Sequence, residues 1–476
     1  MVAGAPRNSA VTLVANVTDP DGDKLHFTWA VNAGSIGAIS DNTAQWTLPD
    51  SPGIAFAYVL VTDGKGAFRE GSTVISTDAG IVPAPPAGAA PAANPSDKVN
   101  APDHFLTFFP TRDLFAFPAK HADSRQGACQ YYVAIGAVQG CGPRGELVGT
   151  QLTFNGWKAK WGLDSPNAGF RAIYANIRDL DLERDMHGIT NANGTAYYVC
   201  NYPHVRGGQP DTNLLNAQRG ENLVACVAME HSPTPGVSGG RPFTKFLVFG
   251  PGGQLLPSVN LDQRGEKFLP GVCVVCHGAR HGFARFDDEN PSMSPDLEAQ
   301  FLPFDLDNFA YAASSGPLSR AGQEAQFRSL NLTLLKTDPR PALVELLNLW
   351  YPNPATSTFT NAVPSGWVGK ETLYKTVVQK YCRTCHVAMS ASGGRDFAFP
   401  RFSDFDRFGF ELVGRACGSV EGGISRARWS MPNSKVTFDQ FWNDGAAVAA
   451  LQGYLLDREH LPPDQIGLSQ GEQRFK

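Results

Sequence analysis

The chain contains no run of about 18 or more consecutive apolar residues, so nothing in it reads as a membrane-spanning helix. It also has no basic surplus: 40 Lys and Arg stand against 45 Asp and Glu, a formal charge of −5. A balance of that sign offers no electrostatic grip on nucleic acid or on anionic lipid. Met1-Val2-Ala3-Gly4 has neither the charged nor the apolar region of a secretory signal. Long helices are disfavoured as well, because 49 Gly and 35 Pro break helical runs and favour loops and β-structure.

Cysteine is plentiful, with nine residues. Four of them fall in two copies of one string, Cys273-Val274-Val275-Cys276-His277 and Cys382-Arg383-Thr384-Cys385-His386. C-x-x-C-H is the attachment pattern of c-type haem: the thiols add across the porphyrin vinyl groups, and the adjacent histidine is placed to ligate the iron. A zinc knuckle or a redox dithiol competes for a single copy. Two copies, each with histidine directly after the second cysteine, favour two covalently bound haem c groups. Such attachment takes place outside the cytoplasmic membrane, so the expectation is an exported bacterial chain, trimmed of its leader, in the periplasm or at the cell surface. The other five cysteines cannot all pair internally. Local spacing favours Cys129–Cys141 and Cys200–Cys226 and leaves Cys417 over, free, buried or intermolecular.

At 476 residues the chain exceeds the roughly 150 expected of one domain. Within residues 1–78, Val11, Leu13, Ala15 and Val17 alternate with mostly polar neighbours. A turn at Asp19-Pro20-Asp21-Gly22-Asp23 follows, then strand-like runs at Leu25–Trp29 and Phe56–Val61. Short alternating strands at this spacing indicate an immunoglobulin-like sandwich. Residues 8–78 resemble the polycystic-kidney-disease-type and cadherin-like repeats of secreted proteins, which implies adhesion or assembly. Asp19, Asp21 and Asp23 are a candidate calcium cluster, with a plain polar turn as the alternative. Residues 79–102, rich in Pro and Ala, read as a semi-rigid spacer. Residues 103–265 carry strand-like runs at Thr195–Cys200, Leu223–Val227 and Lys245–Phe249, and read as a β-rich (α+β) middle domain. A first haem unit is expected over 266–352 and a second over 353–476. The fold class expected is therefore multidomain: an N-terminal Ig-like β-sandwich, a central β-rich domain and a mostly α C-terminal region.

Leu373–Val378 forms a short amphipathic segment ahead of the second motif. Phe441, Trp442, Ala447, Val448, Leu451 and Leu455 mark a terminal helix over Phe438–Leu456. Between them lies Trp429-Ser430-Met431-Pro432-Asn433. Residues 366–459 resemble a class I cytochrome c domain. The resemblance implies that Met431, 45 residues beyond His386, supplies a thioether opposite that histidine. Met431 filling a gap in the core is the alternative. Met389 sits too near His386 to reach the opposite side.

For the first haem, His277 is the expected ligand and the opposite position is open. The candidates are His187, Met293, another histidine (His104, His121, His204 or His231), or no protein ligand at all. His281 is too close to His277.

Two haems with at least one His/Met pair suit electron transfer to redox partner proteins. The alternative is an enzyme related to dihaem peroxidases and oxygenases, with an open first haem and a distal acid–base group. His187, Glu230 and His231 are the nominal candidates for that group, although the region between the motifs departs from the peroxidase arrangement. A surface or polymeric assembly built through the N-terminal domain, an edge strand or Cys417 is compatible with electron transfer.

Overall fold

The computed structural model describes residues 3–19, 22, 24–31, 34–50, 54–62, 68–77, 125–165, 168–204, 210–261, 267–278, 294–389, 391–392, 395–409 and 433–457. The spacer 79–102 lies outside these residues. So do Met293, Met431, His104, His121, His281, Cys417, Asp21 and Asp23.

The N-terminal strands are β1 (Ala3–Gly4), β2 (Ala10–Val14), β3 (His26–Val31), β4 (Ser35–Ser40), β5 (Thr43–Thr47), β6 (Ile54–Thr62) and β7 (Phe68–Ser76). They form a four-stranded sheet, ordered β1-β7-β6-β3, and a three-stranded sheet, ordered β2-β5-β4. Alternation along β2 tucks Leu13 inward. There it shares a core with Trp46, Leu48, Ala55 and Ala57, drawn from both sheets and from the turn between them.

The middle of the chain is organised by a six-stranded sheet. Its strands are β10 (Phe170–Asn176), β11 (Leu182–Asn191), β12 (Gly194–Pro203), β13 (Ala225–Ser232), β14 (Phe243–Phe249) and β17 (Phe309–Ala310), ordered β14-β13-β12-β11-β10-β17. All neighbours in it are antiparallel. Helix α1 (Arg125–Ala134) and the hairpin β8 (Val138–Cys141) and β9 (Leu147–Gln151) precede it, with α2 (Phe154–Trp161) between. Helix α2 is capped at both ends: the Thr153 hydroxyl accepts from Gly156 N at 3.1 Å, and Gly162 turns left-handed at φ 70°.

An exposed edge strand invites pairing with another chain. On β14 the Phe246 and Val248 amides instead donate to the Tyr131 and Tyr132 hydroxyls of α1, at 2.9 and 3.1 Å. Helix α3 (Pro210–Arg219) packs along β10, β11 and β12.

Both expected disulfides are present, Cys129–Cys141 and Cys200–Cys226. The second joins residues directly opposite each other on β12 and β13.

Beyond the sheet, β15 (Ser258–Val259) and β16 (Lys267–Phe268) lead into α4 (Gly271–His277), which carries the first motif. Helices α5 (Arg320–Leu334) and α6 (Pro341–Trp350) follow. Ser319 caps α5, and Pro341 occupies the first turn of α6, where its missing N–H costs nothing. The Gln323 side chain of α5 bonds both the N–H and the C=O of Ile173, at 2.6 and 2.7 Å, closing the other side of the sheet. Helix α7 (Glu371–Leu373) runs through a π-helical stretch, Tyr374–Cys382, into α8 (Arg383–His386). The chain described closes with β18 (Ala391–Ser392), β19 (Arg395–Asp396), α9 (Phe402–Asp406), α10 (Lys435–Asn443) and α11 (Gly445–Asp457). The protein is thus a mixed α+β chain with more than one core. No helix among the described residues is long and apolar enough to cross a membrane.

The expected division at 265/266 does not separate two cores. One continuous cluster runs from Ala128 and Trp157 through the sheet to Val272, Cys273, Phe301, Leu343 and Phe359. A different cluster gathers Trp367, Val377, Cys382, Phe399, Phe405, Phe441, Leu451 and Leu455. The first motif belongs to the sheet's core, and the second enters the helical one.

Candidate cofactor site at the junction of two C-x-x-C-H motifs

The two faces of the six-stranded sheet do different things, and strand alternation decides which residue joins which face. Arg184 and Met186 of β11 lie opposite Tyr174 and Ala172 on one side and opposite Asn201 and Val199 on the other. Tyr197, Met229 and Phe246 continue the same face. This face looks onto α4 and walls a cavity that also touches Cys273, Cys276 and His277. The cavity holds about 1220 Å³ of empty space, its mouth included, and its walls are largely aromatic and aliphatic. Such a concave, mostly apolar site with few polar groups is the form cofactor pockets take.

Both motif histidines are held in the same way. His277 Nδ1 lies 2.8 Å from the Gln300 carbonyl oxygen, and His386 Nδ1 lies 2.9 Å from that of Phe397. A carbonyl only accepts, so each Nδ1 carries a proton, and a ring that is neutral keeps its lone pair on Nε2. Burial, with the Arg184 charge adding to it, pushes His277 down to about 4, which keeps the ring neutral at pH 7. The His277 ring packs on Phe246 at 5.5 Å, and His386 stacks on Phe399 at 4.9 Å.

The motif thiols are unpaired, whereas the other four described cysteines form the two disulfides. Burial pushes Cys273 up and Cys382 up to about 12, so these sulfurs are thiols at neutral pH. Cys385 is raised by its contact with Cys276 first and by burial second. Among the described residues, no group of three or more His, Cys, Asp or Glu side chains is gathered to hold a metal ion. Structural zinc needs about four such ligands.

The two motifs, 109 residues apart in sequence, meet in space. Cys276 Sγ and Cys385 Sγ are 3.4 Å apart. Gly278 directly follows the first motif and turns left-handed at φ 67°. A Cβ there would stand 2.3 Å from the Ala388 carbonyl oxygen, just after the second motif, so the approach demands glycine. Arg340 donates to that same oxygen at 2.9 Å. Arg383 and Thr384, the two residues between the second motif's cysteines, form part of the first cavity's wall. Asn433, two residues beyond Met431, donates to the Val272 carbonyl at 3.2 Å and ties its segment to α4.

The other candidates lie elsewhere. His187 occupies the opposite face of the sheet from Met186. Its Nε2 lies 3.0 Å from Asp185 Oδ1, and its ring stacks on Tyr198 at 4.4 Å. Glu230 shares that face, bonded to Trp157, Trp161, Lys160, Lys245 and Ser232 at 2.8 to 3.3 Å. Burial works to raise Glu230, but the Lys160 and Lys245 charges outweigh it and bring it down to about 2. His231 is half-buried at the end of β13, and His204 is paired with Glu183. None of these four lines the cavity.

Met186 and Met229 do line it, and were not foreseen as candidates. The signal was present in β11, where alternation sets Met186 and His187 on opposite faces, but sequence does not say which face turns inward.

No family model matches this chain, and no curated protein matches it. Among solved structures, a nucleoside hydrolase-related hypothetical protein from Saccharophagus degradans, associated with carbohydrate metabolism, aligns at 24% identity. The overlap covers 16% of this chain and 22% of that chain, with a TM-score of 0.15, and carries no argument about fold or function.

Proposed function

We propose that this protein is an exported dihaem c-type cytochrome that transfers electrons to and from redox partner proteins. The observation that carries the reading is the matched treatment of the two motif histidines. Each donates its Nδ1–H to a backbone carbonyl, which leaves Nε2 as the nitrogen a ligand would take; His386 is buried and His277 half-buried. Two cysteines outside any disulfide precede each of them. Covalently bound haem supplies a one-electron Fe(III)/Fe(II) couple.

The chain's own residues would then set how that couple behaves. Cys273 and Cys276 would hold the first haem against the sheet, with His277 as its ligand and the Gln300 carbonyl fixing the ring. Cys382, Cys385 and His386 would hold the second beside the helical core, oriented by Phe397 and Phe399. Met431 remains the proposed thioether for the second iron. For the first, Met186 and Met229 take precedence over His187, because they share the sheet face that looks onto α4.

We read the N-terminal pair of sheets as an Ig-like sandwich that serves attachment or assembly, with export to the periplasm or cell surface. The two disulfides support an oxidising compartment. The peroxidase-like alternative needs an acid–base group at the iron, and His187, Glu230 and His231 all lie off the cavity wall.

The test is haem content after expression in bacteria with the haem-attachment machinery. Mass spectrometry should find two haems per chain. Changing Cys273 and Cys276 to Ala, or Cys382 and Cys385 to Ala, should remove one haem each. A chain that matures with no covalent haem overturns the reading.

A further inference from the structure

We infer that the two haems form one edge-to-edge pair, joined where Cys276 and Cys385 meet, and are not two isolated centres. This rests on the dihaem reading above. In a C-x-x-C-H site each thiol sulfur is bonded to a vinyl-derived carbon, and that carbon to the porphyrin ring. Each ring edge therefore begins two bonds from its sulfur. With Cys276 Sγ and Cys385 Sγ 3.4 Å apart, no side chain separates the two attachment points.

The contact is built in and does not rest on the two thiols alone. The Gly278 backbone closes onto the Ala388 carbonyl so tightly that no Cβ fits between them. Arg340 clamps both sides of the junction: its backbone N–H donates to Gln300 Oε1 at 3.0 Å and its guanidinium to the Ala388 carbonyl at 2.9 Å. Gln300 is also the residue whose carbonyl orients His277. From this shared point the surroundings diverge. Cys273 and His277 face the sheet's cavity, and Cys382 and His386 pack with the helical cluster.

Two consequences follow. An electron crosses between the haems without an intervening residue, and oxidation of one haem makes oxidation of the other harder, because like charges repel at short range.

Circular dichroism in the Soret region of the full-length holoprotein reads the pairing directly. Two strong porphyrin transitions in close contact couple, so the wild-type band should be two-signed. Each single-haem variant, C273A/C276A and C382A/C385A, should lose that shape and keep a single-signed band. A protein carrying two haems by mass whose spectrum equals the sum of the two variants' spectra overturns the pairing alone. A chain with no haem by mass overturns the dihaem reading and the pairing with it.

If a variant fails to fold, electron paramagnetic resonance of the wild type decides. Signals broadened by spin–spin interaction when fully oxidised, and sharpened at half reduction, support the pair. Superposable signals at both stages sink it.

Discussion

Asp305 holds the guanidinium of Arg383, 78 residues further along the chain, and accepts from its Nε at 3.0 Å with both side chains almost fully buried. Arg383 sits inside the second motif, donates to the Tyr374 hydroxyl at 3.0 Å and lies over the Trp350 ring at 5.0 Å. The pair fastens the second motif to the segment that walls the first cavity. Removing one partner of a buried pair strands the other's charge, at a cost of roughly 3–5 kcal/mol. Asp305→Ala should therefore unfold at much lower urea than wild type, and Asp305→Ala with Arg383→Met should recover most of the loss. Equal destabilisation by the single and double variants would mean that the stranded charge costs nothing and that the loss lies in the missing contact itself.

Gly278→Ala should damage the junction locally. The added methyl meets a carbonyl oxygen and the backbone is left-handed, so a loss of roughly 1–3 kcal/mol is expected. Haem loading at the motifs should fall with it. Gly136, also left-handed but with nothing within 4 Å of an added Cβ, supplies the control. Gly136→Ala should cost less and leave haem content unchanged.

Acid stability should report on Glu230. Its folded value of about 2 lies below the ordinary 4.5, so its contribution is fully present above pH 4.5 and is lost as pH falls from there toward 2. The shift corresponds to roughly 3 kcal/mol at most. Glu230→Gln should flatten this part of the stability–pH curve. It should also lower stability at pH 7, because Lys245 is left buried without its counter-charge. Unfolding midpoints measured between pH 2 and 7 would show both effects.

The Cys200–Cys226 disulfide closes a span of 26 residues between neighbouring strands. Changing both cysteines to Ala should cost about 3 kcal/mol through the freer unfolded chain, with the haem spectrum intact. Denaturant titration gives the loss, and an altered spectrum would mean that the sheet face itself had moved.

The axial ligands can be sorted by spin state. Met431→Ala should turn the second haem high-spin and lower its potential. His187→Ala should leave both haems unchanged. Of Met186→Leu and Met229→Leu, one should turn the first haem high-spin. If neither does, the first iron takes no thioether from the sheet, and peroxide binding becomes the next measurement.

The two C-x-x-C-H strings were legible because the proposed covalent attachment would have a rigid local grammar. Two thiols and a histidine must sit within five residues, so Cys273 to His277 and Cys382 to His386 announce themselves. The disulfides were legible for a similar reason, since their partners are near in sequence or on neighbouring strands. Alternation likewise exposed β2, where Val11 and Leu13 turn inward while Thr12 and Val14 stay exposed.

What stayed hidden depends on contacts between distant segments. Nothing in Met186-His187 says which of the two faces α4, because a strand's alternation fixes two faces and not their surroundings. The shared core across residue 265 was equally invisible: Val272 and Phe301 are simply apolar until the sheet is there to bury them. By itself, then, the sequence determined the two C-x-x-C-H strings, their histidines and the disulfide partners, all short-range features. Tertiary structure alone decided that the motifs meet at Cys276 and Cys385, because only folding brings positions 109 residues apart to within 3.4 Å.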